Sequence, residues 1–249
     1  DLTLKRLQPA PKPPVRVFIM GENRWHYEQE WPPKRAVYTE YFLHSAGTAN
    51  TLSGDGVLSV VTPEDEVADS YAYDPRDPVM SLMSKDVQME PRWQTPNDHR
   101  QDVLVYQTPP LEKDIQVTGP VRLILWAGSD APDTDFTAKL IDVDPEGRAV
   151  NVTYGILRCR FRNGFDTPAS ALQPGESYEL NIALNPTGIL FREGHRIRLD
   201  VSSSDFPNFD RNHNTGRDFW SDVELLPAQQ TVFHDKTRPS RLILPVIPR

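Results

Sequence analysis

The sequence predicts an all-β fold, a jelly-roll β-sandwich of antiparallel strands joined by long loops. Three observations carry that expectation. Apolar residues recur with a period of two along most of the apolar segments. The chain holds 24 prolines and 13 glycines, many for a helical protein and ordinary for an all-β one rich in turns. No segment supports a helix of three turns or more, and short helices are expected at most near Pro168–Leu172 or Ser81–Lys85.

Residues 1–14 are polar and carry Pro9, Pro11, Pro13 and Pro14, and they read as a linker or surface arm before a single sandwich domain over 15–249. Val15–Met20 is the first strand. Gly21–Pro33 follows as a charged loop holding Trp25 and Trp31, whose rings either pin the loop to the sandwich or face a partner domain. Ala36–Leu43 is the second strand, and Gly47–Gly56 is a turn-rich loop. Between Pro63 and Trp93 the periodicity dissolves. Acidic residues cluster there, and Met80, Met83 and Met89 lie close together, as suits an adaptable contact surface or a satellite of the core.

Strands resume at Val103–Tyr106 and Val121–Trp126. Asp133–Arg162 reads as a central hairpin. Phe136, Ala138 and Leu140 alternate with Thr137 and Lys139, Asp144-Pro145-Glu146-Gly147 makes the turn, and Leu157, Cys159 and Phe161 alternate with Arg158, Arg160 and Arg162. One face of this hairpin is expected to be wet, which favours an antiparallel sandwich over a parallel sheet. Tyr178–Leu184, Ile197–Val201, Val223–Leu226, Gln230–Phe233 and Leu242–Ile247 complete a count of roughly nine to eleven strands, in the range of sandwiches and jelly rolls.

A formal net charge of −8 disfavours non-specific binding to nucleic acid or to an anionic membrane. No run approaches the roughly 18 apolar residues of a spanning helix. The single Cys159 rules out an internal disulfide framework and is read as a core residue. The chain starts at Asp1 without an initiator Met and so reads as a fragment or processed product. A signal region would lie outside it, so the compartment is left open, with cytoplasmic favoured.

The six histidines show no metal-ligand spacing, and no serine sits in a nucleophile elbow, so neither a metal nor a catalytic residue is expected within the chain. Asp133 and Asp135 have the outline of a glycosidase pair but read better as aspartates tied to arginine or to backbone N–H groups. The loop Ser202–Gly216 is dense in Asp and Asn. It reads as a self-capping loop anchored by Phe206 and Phe209, with a calcium site as the alternative. The Arg158, Arg160, Arg162 stripe reads as a solvated face or as a patch meeting an acidic domain. Asn151-Val152-Thr153 matches a glycosylation sequon but lies in an expected strand.

Five stretches carry a resemblance. They are PVRVFIMGENRW from Pro14 with the EWP after it, TDFTAKLIDVDPEGRA from Thr134, GILRCRFR from Gly155, FREGHRIRLDVSSSDFPNFDRNHNTG ending at Gly216, and the terminal RPSRLILPVIPR. Together they resemble the C-terminal domain of the X-Pro dipeptidyl-peptidase, cocaine esterase and α-amino acid ester hydrolase family of serine hydrolases, over nearly the whole chain from Pro14. The resemblance implies a galactose-binding-like jelly roll with no cofactor. It would pack on an upstream α/β-hydrolase domain, which carries the triad, and on that domain's helical cap. It also implies that the loop over 80–93 approaches the substrate entrance, with Met83, Val87 and Met89 as candidates and Trp93 beside them. Trp25 and Trp31 are the candidates for interdomain contact. The competing readings are an autonomous carbohydrate-binding module using Trp25, Trp93 or Trp220 as platforms, and a calcium-stabilised adhesion sandwich. Ester against X-Pro peptide substrate, and a homo-oligomer, are left open.

Overall fold

The computed structural model describes residues 13–82, 93–218 and 220–248. The arm expected over 1–14 therefore lies outside the described residues up to residue 12, and so do Met83, Val87 and Met89. Thirteen strands are described: β1 Val15–Ile19, β2 Arg24–Glu28, β3 Val37–His44, β4 Val57–Ser59, β5 Asp69–Tyr73, β6 Leu104–Gln107, β7 Ile115–Ser129, β8 Asp135–Val143, β9 Ala149–Arg158, β10 Tyr178–Phe191, β11 Arg196–Ser202, β12 Ala228–Phe233 and β13 Arg241–Ile247. Helix among the described residues is limited to two 3₁₀ turns, Thr95–Asn97 and Cys159–Phe161.

Hydrogen bonding links eleven strands along the path β5-β12-β7-β13-β3-β4-β6-β11-β8-β9, with β10 on the other edge of β7. All pairs are antiparallel except the short contact of β4 with β6. The path folds over on itself into a sandwich, because the inner faces of both halves share one apolar core. Leu123 and Leu125 of β7 and Leu180 and Ile182 of β10 belong to the same buried cluster as Leu140 of β8 and Leu199 of β11. Where β9 comes alongside β10, Thr153 Oγ1 donates to the Asn185 carbonyl at 2.7 Å. The long strands bend at register shifts, between Leu184 and Thr187 against β7 and between Ile243 and Val246. Pro186 and Pro245 occupy these interruptions, where a missing N–H breaks no ladder bond to β7.

The central hairpin sets Phe136 opposite Leu157 and Leu140 opposite Thr153, with a register shift between Leu140 and Ile141. At its turn the Asp144 carboxylate accepts from the Glu146 and Arg148 amides at 3.1 and 2.8 Å.

Five expectations need correction. The face of β8 expected to be wet is dry: Thr137, Lys139 and Ile141 are buried, as are Arg198, Asp200 and Ser202 of the neighbouring β11, and only the β9 half of the hairpin stays half-buried there, at Tyr154 and Ile156. Strand β9 ends at Arg158, and Cys159–Phe161 turns away, so the three arginines form no stripe. Trp25 sits on a strand, β2, rather than in a loop. A strand, β5, lies inside the stretch read as aperiodic, with Asp69, Tyr71 and Tyr73 inward. Finally, Val223–Leu226 forms no strand and Val223 is 92% exposed, because no neighbouring strand pairs with it.

Candidate interdomain face

Strands β1 and β2 form a sheet of their own, and their register sets Phe18 opposite Trp25 and Arg16 opposite Tyr27. Alternation therefore turns these four side chains to one side and Ile19 to the other, against the sandwich. The outward side is aromatic: Trp25 is 52% exposed, with Phe18 and Tyr27 exposed beside it. The Phe18 and Trp25 rings meet edge to face at 5.4 Å, and the Arg16 guanidinium lies 4.1 Å from the Trp25 centroid. Just past the hairpin, Trp31 is 40% exposed.

Backbone atoms fasten this hairpin to β10. Met20 donates its amide to the Gly188 carbonyl at 2.9 Å and accepts from the Leu190 amide at 2.8 Å. The Arg192 guanidinium reaches the Gly21 carbonyl at 3.0 Å. The approach is close enough that a Cβ on Gly188 would stand 2.9 Å from the Phe18 carbonyl oxygen. Gly21 has φ +78° and a Cβ there would stand 2.4 Å from the Leu190 oxygen.

Trp93, also 52% exposed, lies far along the chain from the hairpin and bridges to Val150 at the start of β9. The neighbouring Gln94 amide donates to the Ala149 carbonyl at 2.9 Å, and Arg148 lies 5.9 Å from the Trp93 ring. Nothing among the described residues brings Trp93 together with Trp25 or Trp31. Trp220, weighed above as a sugar platform, is 90% exposed.

The carboxylates flagged in sequence are structural. Asp133 accepts from the Arg160 amide at 2.8 Å and from Arg160 Nε at 2.7 Å. Asp135 accepts from both Arg158 Nε and Nη2 at 3.0 Å. Asn212 donates to both aspartates, at 2.9 and 2.8 Å, and so ties the Ser202–Gly216 loop to the hairpin. Burial pushes Asp135 up to about 6, opposed by Arg158 and Asn212, which leaves it ionised at neutral pH. Asp205 of the same loop pairs with the buried Lys139 at 2.7 Å. The oxygen-rich loop is thus spent on protein partners, and no described group of three or more His, Cys, Asp or Glu is arranged to hold a metal. The recess beside it, lined by Arg158, Asn212, His213, Thr215, Arg217 and Asp222, has room for about 10 Å³. Cys159 is fully buried and burial pushes its thiol up, away from the reactive thiolate.

One cluster that sequence reasoning missed has the outline of a hydrolytic triad. Ser45 Oγ lies 3.1 Å from His234 Nε2, and His234 Nδ1 lies 3.2 Å from Glu66. Its chemistry is different. Ser45 Oγ donates to Asp69 at 2.8 Å, and His234 Nε2 is 3.0 Å from the same carboxylate oxygen. Burial would raise Asp69, but the hydrogen bonds from His234, the Ala49 amide, Tyr106 and Ser45 hold it below the usual carboxylate range. It is a poor base, and no lone pair on the fully buried imidazole is free for the serine proton. Residues 45, 66, 69 and 234 are too scattered along the chain for any motif to reveal this cluster.

Comparison with known proteins follows the same lines. The family described as X-Pro dipeptidyl-peptidase C-terminal non-catalytic domain matches residues 10–243. Cocaine esterase of Rhodococcus sp. (strain MB1 Bresler) is 42% identical over 246 residues, covering 96% of this chain and 43% of the esterase. A solved α-amino acid ester hydrolase superposes with a TM-score of 0.84 at 28% identity, over 98% of this chain and 42% of the hydrolase. An aminopeptidase from a marine sediment Thaumarchaeota archaeon also gives 0.84 at 28% identity, over 95% and 41% of the two chains. The chain thus spans less than half the length of the relatives it matches.

Proposed function

The chain belongs to the X-Pro dipeptidyl-peptidase C-terminal non-catalytic domain family, and from that membership we propose that it works as the accessory sandwich of a serine hydrolase. In this reading 1–14 is an arm and 15–249 the sandwich. The sandwich packs on an upstream α/β-hydrolase domain and its helical cap in the same polypeptide, and it narrows the entrance to the active site. The parent would hydrolyse ester or X-Pro peptide bonds.

The observation that carries this reading is the aromatic outer side of the β1–β2 hairpin. Phe18, Trp25 and Tyr27 lie on a two-stranded sheet fixed to β10 by backbone bonds, with Trp31 beside it. Large rings presented on rigid backbone are the anchors a permanent interface uses. The entrance would be shaped elsewhere, by the segment that ends at Trp93 and includes Met83, Val87 and Met89.

The carbohydrate-binding alternative is weaker. A sugar platform needs ring faces that are open, whereas Phe18 and Trp25 stand 66° apart and Arg16 covers Trp25.

Iodide quenching of tryptophan fluorescence tests the docking. Trp25 should be accessible in residues 1–249 and shielded once the native upstream sequence is attached. Equal quenching of a Trp25-only variant in both polypeptides would remove the hairpin from the interface. The chain alone should not turn over p-nitrophenyl esters, and turnover blocked by a serine-directed inhibitor would refute the accessory role.

A further inference from the structure

The cluster around Glu66 has a protonation state that its geometry dictates. His234 turns Nδ1 to Glu66 at 3.2 Å and Nε2 to Asp69 at 3.0 Å. His44 turns Nδ1 to the other oxygen of Glu66 at 2.7 Å and Nε2 to the Val61 carbonyl at 3.0 Å. Carboxylates and carbonyls only accept, and a neutral imidazole has one N–H to give. His44 therefore makes both of its bonds only when it holds two protons, and so does His234 with the Ser45 hydroxyl, 3.1 Å from its Nε2, turned to Asp69.

The remaining groups around the cluster are also donors to its carboxylates. Tyr106 donates to Asp69 at 2.6 Å, Ser45 donates its hydroxyl to Asp69 at 2.8 Å and its amide to Glu66 at 3.3 Å, and the Ala49 amide donates to Asp69 at 2.8 Å. Farther out, Lys236 pairs with Asp65 at 3.1 Å, and Asp55 is occupied by the Ala46 amide at 2.8 Å. Two imidazolium ions against two carboxylates leave the cluster neutral. Its removal of two protons would leave a net charge of −2 in a largely dry site.

We infer that Glu66 is clamped between two imidazolium ions, and that this clamp fastens the segment Val60–Val67 to the sandwich until the protons are lost. The segment crosses from β4 to β5, and its other described ties are the Lys236 pair, the Lys236 amide to the Glu64 carbonyl at 2.9 Å, the Ser45 amide to Glu66 at 3.3 Å, the Val61 amide to Ser59 Oγ at 3.1 Å and the burial of Pro63. Val60, Val61 and Val67 are exposed along it, so no apolar burial of theirs holds it down. Loss of one proton from each ring leaves it a single N–H, so His44 then forfeits either Glu66 or Val61, His234 forfeits either Glu66 or Asp69, and no ion pair to Glu66 remains. In support, burial alone would lower His234, yet Asp69 and Glu66 outweigh it and hold it above an ordinary imidazole.

Hydrogen exchange read by mass spectrometry on the full native polypeptide tests this, at pH 6 and pH 9 with correction for the intrinsic rate. Peptides over 60–67 should lose protection at least tenfold at the higher pH, while peptides over β7 stay protected. In His44→Gln the step should shrink to less than threefold. Protection of 60–67 that is the same at both pH values would overturn the inference. So would loss in β7 as well, or an undiminished step in His44→Gln. Should His44→Gln fail to fold, ¹⁵N shifts of the wild-type histidines at pH 7 decide: both doubly protonated supports the clamp, and either ring neutral overturns it.

Discussion

Strands β8 and β11 have two faces that are equally dry and chemically opposite. One carries Phe136, Ala138 and Leu140 with Ile197, Leu199 and Val201 in the sandwich core. The other carries Lys139, Arg198 and Asp200, also buried, under loops that supply Asp98 and Asp205. Arg198 is fully buried, with Nε 2.6 Å from Asp200 and Nη2 2.7 Å from Asp98. The apolar face holds by non-directional burial, so it depends on volume and shape. The polar face holds by partnership, so each member is expensive to orphan and means little alone. A sandwich can therefore clothe its outer face with long loops when every buried charge beneath and above meets an opposite one.

The largest effect that would break this symmetry is expected at Arg198. Arg198→Met strands Asp98 and Asp200 without a counter-charge and should cost about 3–5 kcal/mol, read as a fall in the urea midpoint. Adding Asp98→Asn and Asp200→Asn to that variant should recover part of the loss. A triple variant no more stable than the single one would show that packing rather than charge governs this face.

On the apolar face Leu199→Ala should cost about 2–5 kcal/mol, whereas Leu199→Met should stay within about 1.5 kcal/mol. Equal losses in the two would mean the site is not filled by volume. Smaller again is Asn212→Ala, which removes donors from the buried Asp133 and Asp135 and is expected to cost about 1–3 kcal/mol. An unchanged midpoint would show that the Ser202–Gly216 loop is held elsewhere.

The gentlest test is pH, to which the apolar face is indifferent. Asp69, held below its ordinary value of 3.8, gives stability that is present above that value and lost as pH falls through its folded value. His234, held above 6.5, gives stability that is full below 6.5 and lost as pH rises through its folded value. The wild-type urea midpoint should therefore be highest between those limits. Leu199→Ala should run parallel to it and His234→Gln should lose part of the alkaline slope; a slope unchanged in His234→Gln would place the titrating group elsewhere.

The two faces also explain what could be read in the sequence. Leu180, Ile182 and Leu184 alternate with Glu179, Asn181, Ala183 and Asn185, and the first half of β10 is legible from them, but not its continuation past the irregularity at Pro186 to Phe191. The same alternation at Lys139, Arg198 and Asp200 reads as solvent exposure, because a residue's polarity does not reveal whether water or an opposite charge receives it. The partners of these residues lie in remote loops: Asp98 is 100 positions from Arg198. The pairing of Asp133 and Asp135 with arginine could be anticipated from their chemistry, but Asn212 could not. Strand β2 was hidden because its inward residues, His26 and Glu28, are polar and its rings point outward. Val223–Leu226 misled in the reverse direction, since an apolar run does not say whether a neighbour exists to pair with it.

The seam between the hairpin and β10 is made of peptide groups, the inward Ile19, the Arg192 guanidinium and two glycines with no room for a side chain. The pose of the hairpin is therefore independent of the rings it displays. Substitution at 16, 18, 25 or 27 can redraw what the platform recognises while its angle of approach stays put. An added methyl group at Gly21 or Gly188 would tilt the whole bracket and leave every ring unchanged.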